Sequence, residues 1–191
     1  MAVNLRKGQK VDLTKSNPGL HNLTVGLGWD VNRYDGGSDF DLDASAFLLG
    51  GNGRVTRDED FVFYGNPGHP SGAVLYGGDN KTGEGEGDDE QIMVDLSLVP
   101  ASVAKIVFVV NIYDAATRKQ HFGLIRNAFI RLVNMANRTE ICRYNLTEDY
   151  SGKTGLIVGE IYRKDNEWKF NAIGQGVADA SRLQKLVDMY R

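Results

Sequence analysis

The chain has 191 residues, 41% of them hydrophobic and 25% charged, with a formal net charge of −3, the profile of an ordinary globular protein with one well-filled core or two small ones. Its single cysteine, Cys142, excludes an internal disulfide framework and a CxxC zinc or redox site, and no basic, aromatic-laced stripe supports nucleic-acid binding. The opening MAVNLRKGQKVDL has no apolar secretory core, and no run approaches the ~18 apolar residues of a membrane span, so an integral membrane protein is not expected and the cytoplasm is the default location.

In chain order, the segments predict short strands. LTVGLGW (23–29), ASAFLLG (44–50), DFVFYG (60–65), AVLYG (73–77) and QIMVDL (91–96) are rich in β-branched or aromatic residues and bounded by Gly or Asp clusters. LSLVPASVAK (96–105) has room for one or two helical turns. KIVFVVNIY (105–113) is a continuous apolar run that suits a central strand buried on both faces. DAATRKQHFG (114–123) reads as a connection carrying Arg118, Lys119 and His121. In NAFIRLVN (127–134), alternation puts Ala128, Ile130 and Leu132 on one face and Phe129, Arg131 and Val133 on the other. EICRYNL (140–146), TGLIVGEIYR (154–163) and EWKFNAIG (167–174) complete the set, the last two joined by a KDN hairpin. At the C-terminus, Leu183, Leu186, Val187 and Tyr190 fall at helical spacing, with Ser181 and Gln184 as a capping box. The pattern predicts an all-β sandwich of mostly antiparallel strands with a short C-terminal helix. His21, His69 and His121 are far apart in sequence and read as surface or loop residues.

Charge is segregated. Residues 30–90 hold fourteen acidic and four basic side chains, a balance of −10, whereas 91–191 hold ten and fourteen, a balance of +4. Within the acidic third, GDNKTGEGEGDDE (78–90) has six acids, four glycines, one lysine and no apolar residue. A second cluster places aspartates at 30, 35, 39, 41 and 43. Should 39–43 enter a strand, Asp39, Asp41 and Asp43 share one face while Phe40 and Leu42 point into the core. Like charges so close are unfavourable unless used. A hard cation reverses the argument: Ca²⁺ takes six to eight oxygens in flexible geometry. Asp79, Asn80, Asp88, Asp89 and Glu90 offer side-chain oxygens, and Gly83, Gly85 and Gly87 permit turns that aim carbonyls inward. The absence of His–Cys clustering disfavours zinc and copper.

Three nearer motifs fail. An EF-hand loop from Asp39 needs Gly at its sixth position and Glu at its twelfth, where Ala44 and Gly50 stand. GDNKTGEGEG has no Gly-Lys-Ser/Thr after its glycines, and its acids repel phosphate. DLDAS (41–45) matches the loop of aspartyl-phosphate phosphotransferases, but DGGSDF precedes it rather than a buried apolar strand.

VGLGWD, DFDLDASAFLL, FVFYGNP, GGDNKTGEGEGDDEQIMVDL, KIVFVVNIYDA, FGLIRNAFIRLVN, YNLTEDYSGKTGLIVGEIYR and EWKFNAIGQG occur together and in this order. In these the chain resembles the TerD family of tellurite-resistance and general stress proteins, as one domain over residues 1–191. The resemblance implies a β-sandwich binding about two Ca²⁺ through acidic loops. It also implies work among other stress and tellurite-resistance proteins in membrane-associated assemblies. Carried over, the ligands are Asp30, Asp39, Asp41 and Asp43 from the first loop and Asp79, Asn80, Asp88, Asp89 and Glu90 from the second, with the carbonyls of Gly85 and Gly87. The expected role is a non-enzymatic, calcium-binding adaptor or scaffold. The alternative is a metal-dependent enzyme acting on a toxic oxyanion or phosphoester, for which the chain offers carboxylates but no persuasive nucleophile or redox centre.

Overall fold

The computed structural model describes residues 2–30, 40–77, 87–180 and 183–191. Twelve strands are described: β1 (Val3–Leu5), β2 (Lys10–Asp12), β3 (Asn22–Gly28), β4 (Leu42–Gly50), β5 (Phe61–Val62), β6 (Val74–Tyr76), β7 (Glu90–Asp95), β8 (Val103–Ile112), β9 (Phe129–Asn134), β10 (Thr139–Asn145), β11 (Gly155–Lys164) and β12 (Glu167–Val177). They form two six-stranded sheets, ordered β1-β10-β9-β3-β7-β6 and β2-β12-β11-β8-β4-β5. All pairings are antiparallel except β1 with β10. The helices are short: α1 (Ala115–Arg118) and the C-terminal α2 (Leu183–Asp188).

Alternation decides which side chains meet between the sheets. Val25, Leu27, Ile92, Val94, Ile130 and Leu132 of the first sheet pack against Leu42, Ala44, Ala46, Leu48, Ile106, Phe108 and Val110 of the second. β8 lies between β11 and β4, and its other face, Val107 and Val109, joins Phe47, Leu49 and Ile157 in a second core beneath Leu186 and Val187 of α2. That two-sided burial is why KIVFVVNIY carries no alternation. Phe47, Phe61 and Phe63 stack in a row at 4.4 and 4.5 Å, and Tyr190 closes on Phe47 at 4.9 Å. The β11–β12 hairpin turns through Asp165 and Asn166, both left-handed (φ 55° and 62°), as a two-residue turn of this twist requires.

Two expectations need correction. Residues 96–102 form turns and no helix: Asp95 takes the Ser97 N–H at 2.9 Å, and Pro100 has no N–H to give a helical ladder. DFVFYG keeps only Phe61–Val62 as strand, because the chain turns back at once through the Phe63–Asn66 bridge. His69 is in a loop, as expected, and is buried there. It is 3% exposed, its Nε2 lies 3.2 Å from Asp60 Oδ1, and its Nδ1 accepts from the Ser71 N–H at 3.2 Å. The Asp60 carboxylate also accepts from the Thr56 N–H and hydroxyl (3.0 and 2.7 Å) and the Arg57 N–H (3.1 Å). The capping Ser181 lies outside the described residues.

Candidate functional site

The starts of β4 and β7 and the end of β3 lie at one end of the sandwich, since Glu90 of β7 reaches Ala44 of β4 and Asp89 reaches Trp29 after β3. Of the candidate ligands named above, Asp30, Asp41, Asp43, Gly87, Asp88, Asp89 and Glu90 are described there; Asp39, Asp79, Asn80 and Gly85 lie outside the described residues.

On β4 the alternation holds where it is described. Phe40 and Leu42 are in the main core, 4% and 2% exposed, and Asp43 between Leu42 and Ala44 turns to the other face, 6% exposed. There it stands directly opposite Asn111 of β8, whose amide lies 3.4 Å from Asp43 Oδ2. Ser45 is two residues further along the same face. Asn111 and Ser45 are 3% and 0% exposed, yet Asn111 Oδ1 and Ser45 Oγ have no hydrogen-bond partner among the described residues. Buried oxygens left so cost roughly 1–3 kcal/mol each. Asp41 continues the strand pairing through its carbonyl, which accepts from Tyr113 N–H at 2.8 Å, and its carboxylate is approached by Arg118 at 3.8 Å.

The carboxylates of 88, 89 and 90 leave the chain in three directions. Glu90, 1% exposed, points between the sheets and accepts from the Tyr76 hydroxyl at 2.6 Å and, at 3.4 Å, from the Ala44 N–H. Asp89 caps the end of β3, accepting from Trp29 N–H at 2.9 Å. Burial pushes its carboxyl above the usual range; the Trp29 bond opposes this and the neighbouring Asp88 charge adds to it. Asp88 folds over the outer face of the first sheet, where Arg131 Nε donates to it at 2.7 Å. Beside Asp89 stands Asp30, which accepts from the Asn127 amide at 2.7 Å; Asn127 has the left-handed φ of 52° needed to present it. Asp30, Asp89, Gly87, Trp29 and Asn127 line a cleft of about 840 Å³ together with Glu148 and Tyr150.

The structure therefore brings the candidates into two neighbourhoods, Asp41 and Asp43 with Asn111 and Ser45, and Asp30 with Asp89 and Asn127. Among the described residues no three His, Cys, Asp or Glu side chains converge on one point. Sequence reasoning missed Asn111, Asn127 and Tyr76 at this end. For Asn111 a signal was present: it is the one polar residue in the stretch Ile106–Ile112, which is otherwise apolar and buried on both faces. Cys142 is 1% exposed, and burial pushes its thiol up to about 12, so it has no thiolate character here.

The TerD domain profile matches residues 1–190. The chain is 55% identical to general stress protein 16U of Bacillus subtilis over 176 residues, 92% of this chain and 91% of that one. It is 55% identical over 178 residues to the tellurium resistance protein TerD of Serratia marcescens, covering 93% and 92% of the two chains. Stress response protein SCP2 of Bacillus subtilis is 48% identical over the whole of both chains. Among solved structures, a homologue of telluride resistance protein (TerD) from Streptomyces coelicolor superposes with a TM-score of 0.70 at 22% identity, over 91% of this chain and 99% of that one, a likeness of fold.

Proposed function

The chain belongs to the TerD domain family of general stress-response proteins, and from that premise we propose that it is a non-enzymatic, calcium-binding adaptor. About two Ca²⁺ are bound at the acidic end of the sandwich, where they tie the segments around residues 30–43 and 79–90 together and so shape a surface for partner proteins. The observation that carries the reading is the buried oxygen group on β4 and β8. Asn111 Oδ1 and Ser45 Oγ are unpartnered beside the Asp43 carboxylate, an all-oxygen donor set suited to a hard cation. Asp41, Asp43 and Asn111 would hold one ion with Asp39; Asp30, Asp89 and the Gly87 carbonyl would hold the other with residues 79, 80 and 85. Glu90 supports the first strand by bracing Ala44.

Relatives named for general stress and for tellurium resistance support a role in resistance alongside other stress proteins. No helix among the described residues is long and apolar enough to cross a membrane. The test is a calorimetric titration of chelator-treated protein with Ca²⁺, with Mg²⁺ as competitor, in wild type and Asp43→Asn. Saturable binding near two equivalents, selective for Ca²⁺ and lowered towards one in the variant, is the expected result. Flat heats in protein shown to be folded and metal-free would end the reading.

A further inference from the structure

Outside the oxygen groups assigned above, one charged constellation is built into the register of the first sheet. Gly26 of β3 is paired with Arg131 of β9 on one side and Gln91 of β7 on the other. With no side chain at Gly26, the Asp88 carboxylate lies down in its place: a Cβ there would meet the carboxyl carbon at 2.2 Å. Arg131 Nε donates to Asp88 Oδ1 at 2.7 Å, and Gln91 Nε2 reaches Oδ2 at 3.4 Å. The Asp88 side chain is only 3% exposed. Two residues along, a Cβ on Gly28 would meet the Gly87 carbonyl at 2.8 Å and the Phe129 ring at 2.5 Å. The two glycines thus make a bare trough in which the end of the acidic segment is seated.

Arg131 is itself held from behind. Its Nη1 donates to Glu140 at 3.3 Å, Glu140 accepts from Arg143 at 3.0 and 3.1 Å, and the Arg143 guanidinium stacks 3.9 Å above the Phe129 ring. This chain of alternating charge crosses β9 and β10 and ends on the aromatic ring that fills the other half of the trough.

We propose that Arg131 is the positioning residue of the acidic segment: it holds Asp88 on the outer face, away from the metal groups, and so fixes the direction in which Asp89 and Glu90 leave for the end of the sandwich. Asp88 then serves as an anchor and not as a ligand. An arginine suits the task because its planar fork engages Asp88 and Glu140 at once, which a lysine cannot do in the same geometry. Groups that orient ligands in this way typically change metal affinity 10- to 100-fold when removed. The clamp stands on geometry alone; its effect on affinity rests on the calcium reading.

The experiment has two arms, run on Arg131→Gln, Arg131→Lys, Asp88→Asn and the Arg131→Gln/Asp88→Asn double variant. Lys105→Gln, which breaks an ion pair with Glu160 on the other sheet, is the control. In metal-free protein, amide exchange at Trp29 and Asp89 is compared with that of core amides on β8. The expected result is exchange at least tenfold faster at Trp29 and Asp89 in Arg131→Gln and Asp88→Asn, not further increased in the double variant, smaller in Arg131→Lys, and absent in Lys105→Gln. Unchanged exchange, or acceleration spread evenly over the β8 amides, would overturn the proposal. In the second arm, Ca²⁺ titration is expected to give a 10- to 100-fold weaker Kd for Arg131→Gln. A tighter Kd would also overturn it, because Arg131 would then be competing with the ion for Asp88. Should wild type bind no Ca²⁺, the calcium reading falls while the exchange arm still decides the clamp.

Discussion

Replacing Asn111 by Ala should separate a ligand from a structural residue by the sign of two numbers. In metal-free protein the substitution removes a buried oxygen with no partner, relieving roughly 1–3 kcal/mol. It loses the long 3.4 Å bond to Asp43, worth about 1 kcal/mol at most, and a small packing volume costing about 1 kcal/mol. The three nearly cancel, so metal-free stability should change by less than about 1 kcal/mol. With Ca²⁺ at a hundredfold excess over the wild-type Kd, native-state binding adds about 2.7 kcal/mol per site, and a tenfold weaker site adds only about 1.4 kcal/mol at the same concentration. At roughly 2–4 °C per kcal/mol for a chain of this size, two sites should raise Tm by about 11–22 °C in wild type and by about three quarters of that in the variant, where one site is weakened. Thermal melts with chelator and with Ca²⁺ read both quantities. A metal-free loss above about 3 kcal/mol with an unaltered Ca²⁺ increment would refute the reasoning, because Asn111 would then be a packing residue.

The remaining predictions concern the frame of the sandwich. Asp60→Asn should cost about 2–4 kcal/mol in urea unfolding at pH 7, since an amide cannot accept from Thr56, Arg57 and His69 together. Burial pushes the Asp60 carboxyl up, but the Thr56, His69 and Arg57 bonds outweigh it and hold the group below its usual range. Its contribution is therefore complete above the unfolded value of about 3.9 and disappears as pH falls through the lower folded one. The gap between wild type and Asp60→Asn should narrow there and nowhere else. Gly174→Ala puts a Cβ 2.0 Å from the Tyr144 hydroxyl at a φ of 60°, so it should lose about 3 kcal/mol or more, seen as a collapse of soluble yield and of the urea midpoint. A thiol reagent should leave Cys142 untouched in native protein and modify it fully in urea; native reactivity would contradict its burial. Exchanging Asp165-Asn166 for Asn-Gly should raise stability by about 0.5 kcal/mol in the same urea assay, because both positions already have positive φ.

Much of the frame was legible because period-two alternation is a local property. β9 reads Phe129 out, Ile130 in, Arg131 out and Leu132 in from the sequence alone, and β8 announces two-sided burial by the unbroken apolar run from Ile106 to Val110. The edges were not legible. β1 and β2 have three residues each and are strands only because β10 and β12 offer them unpaired edges, which no local pattern records. The helix expected over 96–105 lost to turn chemistry at Asp95–Ser97 and to Pro100. At the candidate site, composition pointed to the acidic residues but could not say where each carboxylate goes. Asp88, Asp89 and Glu90 are indistinguishable as letters, and they separate only because Gly26 leaves room for one, Trp29 offers an N–H to the next, and Tyr76 and Ala44 receive the third. Asn111 joins Asp43 through strand register alone.

The first dozen residues belong to both sheets: β1 lies against β10 in one, β2 against β12 in the other. Lys169 and Asp12, an ion pair across the second of these seams, are 157 positions apart. During synthesis β1 and β2 must therefore wait for β10 and β12 before they can pair. Until β1 and β2 add to them, β10 and β12 present bare edges, the geometry that recruits strands from other chains. So much non-local pairing also places the domain among slow folders, on the millisecond-to-second scale. The interval between release and closure is when a chain of this topology is most exposed to misassociation, and crowding many nascent copies together would lengthen the odds against correct closure.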